Sequence, residues 1–466
     1  MEKETLHFIS DYVKALKENN AVVFAGSGLS VDAGFYDWKV LLEPTAERLG
    51  LDIREEHHLA ALAQYLVDED GGRGELNKIL VEHYQGLRVT LSNQHQILAR
   101  LPIQLFWTTN FDNLIEQALV DAGKTPDVKK AQGDLSMNLP KRDAIVYKIH
   151  GDISSAEEAV LTRQDEAYNK SRELFSNAFK RHFITRTFLF IGFSFADPNL
   201  DFLISRIRQT VGKKRKPGYY FLKRDKDAKI QKRNEIGANT LELYGLHPVW
   251  INDYSEIVEI LKEIEVRYLH NSIFISGSAD TYTPYTTEQG GQFLHDLSFA
   301  ISSGNYKIVS GFGFGVGSAT INGVLDNIEN RRNQNTDHYI AMRPFPQFVT
   351  GTKTIQELWK EYREKFMQLV GIVLFVFGNK NGGTTLANGM QEEFELALAK
   401  GLKVIPIGST GFMAEQLWKR VCNDFSTYYP NDPDLKPSFE SLGSKNLSFS
   451  EIIKVTVGII DRLNSK

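Results

Sequence analysis

Short apolar runs recur along nearly the whole chain, each closed by a glycine or small polar turn and followed by a stretch of helical periodicity. In the first half they are residues 21–25, 104–107, 144–149, 187–191 and 218–222, rich in β-branched and aromatic side chains. Runs of this kind read as strands buried on both faces, and the stretches between them, such as 112–122 and 199–210, as crossover helices. That rhythm restricts the fold to a doubly wound, Rossmann-like α/β architecture. Residues 57–85 are also helical in pattern and read as a small helical subdomain capping the core. After a helix over 255–268, Asn271 opens a fresh cycle with strand 273–275, followed by strands at 307–310, 339–342, 371–377 and 403–407. Two such domains are expected, 1–268 and 272–466, with no Gly/Ser linker between them.

Bulk properties remove several function classes. The 466 residues exceed one ordinary domain, and 42% hydrophobic with 24% charged residues suits soluble globular domains. A net charge of -4 exerts no global pull on nucleic acid. The basic run Lys213-Lys214-Arg215-Lys216 lies between a helix and a strand and reads as a solvated turn. The longest apolar runs, 188–193 and 371–377, fall far short of the ~20 residues a membrane helix needs. The first 17 residues carry acidic side chains and no apolar core, so no secretory signal is expected in them. One cysteine, Cys422, excludes an internal disulfide and a cysteine-rich metal site. A cytoplasmic protein with no bound metal is expected.

The chemistry-bearing stretches of the first half all follow strands. Strand 21–25 runs into Gly26-Ser27-Gly28, a tight turn ahead of a helix, where glycine admits a close backbone approach and helix amides face an anion. This is not the G-x-G-x-x-G of dehydrogenases. Thr108-Thr109-Asn110-Phe111-Asp112 follows the next strand; an amide such as Asn110 can bind a ribose hydroxyl or a water, and Asp112 can offset positive charge developing on a ribose. The alternative role for both is capping the helix that begins there. His150 ends a third strand, ahead of Gly151-Asp152, at the sheet end where α/β folds place ligand chemistry, and a histidine can act as general base near neutral pH. Gly192-Phe193-Ser194 closes a fourth, with Asp197 placed to start the next helix.

Taken together these stretches resemble the NAD-binding core of the sirtuins over roughly residues 15–250. Gly26, Gly28, Ser30, Gly34 and Asp37 match the family's G-A-G-x-S-x-x-x-G-I-P-D-F-R segment, while Tyr36, Trp38 and Lys39 depart from it. Residues 108–112 resemble T-Q-N-I-D, His150-Gly151 the family's H-G, and Gly192 with Ser194 its G-x-S nucleotide contact. The resemblance implies NAD+ binding through Gly26, Ser27, Gly28, Ser30, Asp37, Gly192 and Ser194, with Asn110, Asp112 and His150 catalytic. The four-cysteine zinc module that helps wall the sirtuin acyl-peptide groove has no counterpart, since residues 153–186 contain no cysteine. Cleavage of NAD+ by water, an NAD+ glycohydrolase reaction giving nicotinamide and ADP-ribose, is therefore expected rather than deacylation.

The second half presents three more strand-to-glycine turns: Gly277-Ser278, the run Gly311-Phe312-Gly313-Phe314-Gly315, and Lys380-Asn381-Gly382-Gly383. Three such loops in one α/β domain suit a phosphorylated ligand, against the alternative of ordinary tight turns. Lys380 and Arg363 are candidate phosphate partners and Glu395 a candidate acceptor for ribose hydroxyls, each set against a plain solvated charge. The pattern resembles the SLOG superfamily. Gly382 and Gly383 match the glycine pair of P-G-G-x-G-T-x-x-E, but Gly389 stands where its glutamate belongs, which suits a binding domain better than a hydrolase.

A sirtuin-like domain followed by a SLOG domain resembles the Thoeris anti-phage effectors. That resemblance implies a homotetramer that depletes NAD+ to abort infection, switched on by a cyclic ADP-ribose isomer from a TIR-domain partner. Such a ligand would bind through Gly277, Ser278, Gly313, Gly315, Arg363, Lys380, Gly382, Gly383 and Glu395. The competing readings are a zinc-free NAD-dependent protein deacylase and a non-catalytic NAD or ADP-ribose sensor.

Overall fold

The computed structural model describes residues 2–35, 38–56, 58–86, 89–167, 173–193, 215–331, 335–349 and 351–465. Asp37, Ser194, Asp197, the expected helix 199–210 and the start of the basic run lie outside the described residues. The chain divides into two compact units, Met1–Glu265 and Val266–Lys466.

The first unit is built on seven strands: β1 (Ala21–Ala25), β2 (Leu105–Thr108), β3 (Pro126–Lys129), β4 (Ala144–Lys148), β5 (Thr187–Ile191), β6 (Gly218–Lys223) and β7 (Leu246–Ile251). They form one parallel sheet in the order β3-β4-β2-β1-β5-β6-β7. The central strands β1, β2 and β5 are buried at every position, which explains their unbroken apolar character. From β1 the chain passes to β2, skips to the edge strand β3, comes back to β4 in the gap between them, and then crosses to β5 on the other side of β1. Ligands in such sheets bind at the carboxyl ends of the strands flanking this reversal.

Two strands, β3 and β7, were not legible as apolar runs. They are the two edges of the sheet. Edges tolerate the charges of Pro-Asp-Val-Lys and the proline of β7 because one side of the ladder is unpaired. The helical pattern over 57–85 resolves into two helices, Leu59–Asp70 and Gly74–Gly86, separated at the left-handed Gly71. With the helix Trp38–Arg48 they enclose their own apolar cluster around Leu42, Leu62, Leu66 and Leu80, which also takes in Phe111.

The second unit repeats the plan. Strands β8 (Ser272–Ser278), β9 (Lys307–Ser310), β10 (Ile340–Met342) and β11 (Ile372–Phe377) are followed by a two-strand hairpin, β12 (Asn379–Lys380) and β13 (Thr385–Leu386), and by β14 (Lys403–Pro406). The parallel sheet runs β10-β9-β8-β11-β14, so the reversal falls between β8 and β11. Strand β11 is buried throughout and anchors a core with Phe274, Phe293, Leu297 and Phe394. Among the described residues no helix is long and apolar enough to cross a membrane.

Candidate active site

Every described candidate of the first unit lies at the carboxyl end of one of four neighbouring strands: Gly26 to Ser30 after β1, Asn110 and Asp112 after β2, His150 after β4, Gly192 after β5. The turn after β1 and the turn after β5 are locked together. Gly26 N donates to Ile191 O at 2.9 Å and Gly28 N to Gly192 O at 2.8 Å. Gly192 has φ +63, and a side chain there would place its Cβ 2.1 Å from Leu29 N. Glycine is thus required where the two loops touch. The helix that follows, Ser27–Val31, is short.

Ser30 is the junction of the site. Its Oγ donates to Asp112 Oδ2 at 2.7 Å and accepts from Asn110 Nδ2 at 2.8 Å. The same Asn110 amide donates to Gly26 O at 3.0 Å, and Asn110 N donates to Thr108 Oγ1 at 2.9 Å. Thr108 Oγ1 in turn donates to Ala25 O at 3.0 Å, tying the ends of β1 and β2. Ser30, Asn110 and Asp112 are all buried. Among the described residues Asn110 Oδ1 has no hydrogen-bond partner, leaving a buried acceptor beside the glycine turn. Buried polar atoms are normally satisfied, so an acceptor held in this way suits a ligand hydroxyl or water.

The capping alternative holds for one of the two residues and for half of its side chain. Asp112 Oδ1 accepts from Leu114 N at 3.0 Å at the start of the helix Leu114–Asp121, while its Oδ2 faces Ser30. The Asn110 amide is committed to the β1 turn instead. His150 is half-buried, and its carbonyl accepts from Val160 N at 2.8 Å. Strand register sets Thr108 opposite Lys148, so Asn110 and His150 each stand two residues beyond that pair.

Residues that the motifs did not single out surround this group. Lys148 is fully buried between Glu116 Oε1 at 3.2 Å and Asp152 Oδ2 at 2.6 Å. Burial opposes its charge, but those two carboxylates more than compensate and hold its pKa above the ordinary lysine value. Tyr84, from the helical subdomain, packs on Phe35 at 4.9 Å. Burial, and then the Asp112 charge, push its phenol upward. The sequence signal for Lys148 was a charged side chain at the end of an otherwise apolar strand; Tyr84 carried none.

In the second unit the three glycine loops also gather at the carboxyl ends of β8, β9 and β11. A Cβ on Gly313 would lie 2.1 Å from Gly277 O, so the loops after β8 and β9 approach as closely as backbone permits. Gly315 is placed by a hydrogen bond to its carbonyl from the Tyr282 hydroxyl, and Ser278 Oγ donates to Asn379 O at 3.2 Å. Asn379 is fully buried; its side chain accepts from Asp280 N and Thr281 N, both at 3.0 Å, and donates to Thr281 O at 2.8 Å. This clamp presents the Lys380–Gly383 turn, where Lys380 is exposed and Gly383 packs on Thr281. Gly382 N donates to the Asp280 carboxylate, so one amide of the turn already holds an anion.

Arg363 lies against Gly389, pairs with Glu392 at 2.6 Å and Glu393 at 3.4 Å, and stacks over Phe345 at 5.5 Å. Phe345 reaches back to Gly311, which links Arg363 to the β9 loop. Glu393 is buried and accepts from Ser276 Oγ at 2.6 Å. Glu395, two residues on and so on another face of the helix Asn388–Ala399, pairs instead with Arg420.

Comparison with known proteins agrees with both halves. A SIR2-like domain profile matches residues 104–249, and the Sir2- and TIR-associating SLOG family matches 256–463. Over 484 residues, covering 100% of this chain and 97% of the relative, the chain is 41% identical to the NAD(+) hydrolase ThsA of Cytobacillus dafuensis. It is 38% identical to the protein of that name from Bacillus cereus (strain MSX-D12), over 98% of each chain. The Enterococcus faecium protein is 39% identical over 100% of this chain and 99% of the relative. The chain belongs to the ThsA family. The SIR2-like match of this ThsA-family chain takes in Asn110, Asp112, His150 and Gly192, whereas the Gly26–Gly34 turn precedes it and is covered by the full-length relatives. All the candidate effector residues fall inside the SLOG match.

Proposed function

We propose that the first unit hydrolyses NAD+ to nicotinamide and ADP-ribose, and that the second binds a cyclic ADP-ribose isomer that switches this activity on. The observation that carries the reading is the buried Ser30–Asn110–Asp112 group, set beside the glycine turn at the reversal of the sheet. The substrate pyrophosphate lies along the Gly26–Gly28 turn, with Gly192 opposite. The bond from the ribose anomeric carbon to the nicotinamide nitrogen breaks, and its electron pair leaves with neutral nicotinamide. The cationic ribose is stabilised by the fixed Asp112 charge acting through Ser30. A water held by Asn110 Oδ1 adds to the anomeric carbon, and His150 accepts the released proton. Catalysis by these groups needs no metal, and water occupies the position an acyl oxygen takes in a deacylase.

In the second unit Lys380 supplies an exposed cation beside the Gly382–Gly383 turn for a phosphorylated ligand, and Arg363 supplies a second, held in place by Glu392 and Glu393. The signal comes from a TIR-domain partner, the assembly is a homotetramer, and loss of NAD+ halts phage growth. The functional domains are assigned as 1–268 and 272–466.

The test is product analysis with purified protein, NAD+ and a panel of cyclic ADP-ribose isomers. Nicotinamide and ADP-ribose in equal amounts, dependent on one isomer, support the reading. O-acyl-ADP-ribose formed only with an acyl-lysine peptide supports a deacylase, and binding without turnover supports a sensor. Light scattering decides the tetramer.

A further inference from the structure

Resting on the hydrolase reading above, we propose that Lys148 is a positioning residue: its buried ammonium holds the loop carrying Asn110 and Asp112 in register with the loop carrying His150.

Lys148 is the last residue of β4, two positions before His150. Its side chain has 0% exposure. Nζ donates to Phe111 O at 3.2 Å and to Asp112 O, both in the loop after β2. It also lies 3.2 Å from Glu116 Oε1, in the first turn of the helix Leu114–Asp121, and 2.6 Å from Asp152 Oδ2, two residues past His150. An ammonium has three protons and no acceptor, so four oxygens from three segments leave it saturated.

The contacts are distributed in a way that matters for the site. One group binds the carbonyls that flank the Asp112 peptide, the start of the next helix, and the turn that closes behind His150. Asp152 itself accepts from Ser154 N at 2.9 Å, and Ile153 N donates to Phe111 O at 3.1 Å, so the two loops are also joined through the backbone there. A side chain placed here for packing alone would be apolar, as its chain neighbours Val146 and Ile149 are. A buried cation is favourable only with its partners in place, so any shift of one loop against the other exposes an unpaired charge to an apolar interior. Lys148 thereby resists relative motion of Asn110 and His150 without touching substrate.

The experiment compares wild type with Lys148→Met, which keeps length and apolar stem, and with Asp152→Asn, which removes one partner and keeps the cation. The readouts are kcat, KM and amide hydrogen exchange over 109–113 and 150–153. In Lys148→Met we expect kcat to fall about a hundredfold, as small misplacements of reacting groups do. KM should stay within about threefold, because the substrate-binding turn after β1 is not held by this cation. Exchange in both loops should rise together, and Asp152→Asn should shift both readouts in the same direction by less. A folded Lys148→Met protein with wild-type kcat and unchanged exchange overturns the proposal, as does a rise in KM equal to the whole loss. If Lys148→Met does not fold, Asp152→Asn decides: unchanged kcat and exchange overturn the proposal. If wild type turns over no NAD+ with any activator, the hydrolase reading fails, and exchange alone decides whether Lys148 couples the loops.

Discussion

Asn110 is committed to the site by both ends of its side chain. Its amide donates twice into the β1 turn while Oδ1 is kept as a buried acceptor. Asn110→Ala should lower NAD+ turnover by roughly 10²-fold or more, the scale of a lost positioned catalytic group, while the melting temperature falls modestly. A variant with normal turnover would remove Asn110 from the chemistry. Gly192 is demanding for another reason. A methyl at φ +63, 2.1 Å from Leu29 N, strains the backbone and parts the two loops. Gly192→Ala should therefore destabilise the protein by more than about 1 kcal/mol in denaturant unfolding, alongside weaker NAD+ binding.

Elements differ in how openly the sequence announces them. Strands β1, β2 and β5 were legible because burial on both faces demands apolar residues throughout. Strands β3 and β7 were not, since an edge can carry Asp127, Lys129 and Pro248. In β3 the two charges even satisfy each other, at 2.8 Å, with Arg142 on Asp127 at 2.9 Å. The candidate site was legible where motifs fall at strand ends. Its supports were not, because the union of Lys148, Glu116 and Asp152 is made by folding rather than by spacing.

One element pair carries a pH signature. The helices Thr287–Ser303 and Gly317–Asn330 are bridged by His295, with Nδ1 at 2.9 Å from Asp296 and Nε2 at 2.8 Å from Asp326. Hydrogen bonds to these two carboxylates raise its pKa above the ordinary value of 6.5. A raised histidine pKa contributes stability that is fully present below the unfolded value and lost as pH rises through the folded one. The pair is largely solvated, so its contribution is small. His295→Gln should lower the melting temperature by a degree or two at pH 5.5 and leave it unchanged at pH 9, about the scale of a few tenths of a kcal/mol. An equal loss at both values would assign His295 a packing role.

At the scale of the whole molecule the question is control, since an unrestrained NAD+ hydrolase would empty its own cell. An effector shifts activity only by binding the active state more tightly, and moving a population from 1:99 to 99:1 takes a preference of about 10⁴-fold. Lys380 is exposed, so Lys380→Ala should raise the activator concentration needed for half-maximal turnover about tenfold or more without changing stability. Arg363 stands against the buried Glu393, so Arg363→Ala should weaken activation and lower the melting temperature together. Activation curves and melting scans on both variants check this. Unaltered activation in both would move the sensor elsewhere.

The most direct test of effector-gated NAD+ hydrolysis is NAD+ turnover by the purified full-length protein and by Asn110→Ala, each with and without the cyclic ADP-ribose isomers. One isomer should trigger stoichiometric release of nicotinamide and ADP-ribose by wild type, with no acyl-peptide present, and Asn110→Ala should stay nearly silent. Intact NAD+ under every condition, or turnover only with an acyl-lysine peptide, would contradict it.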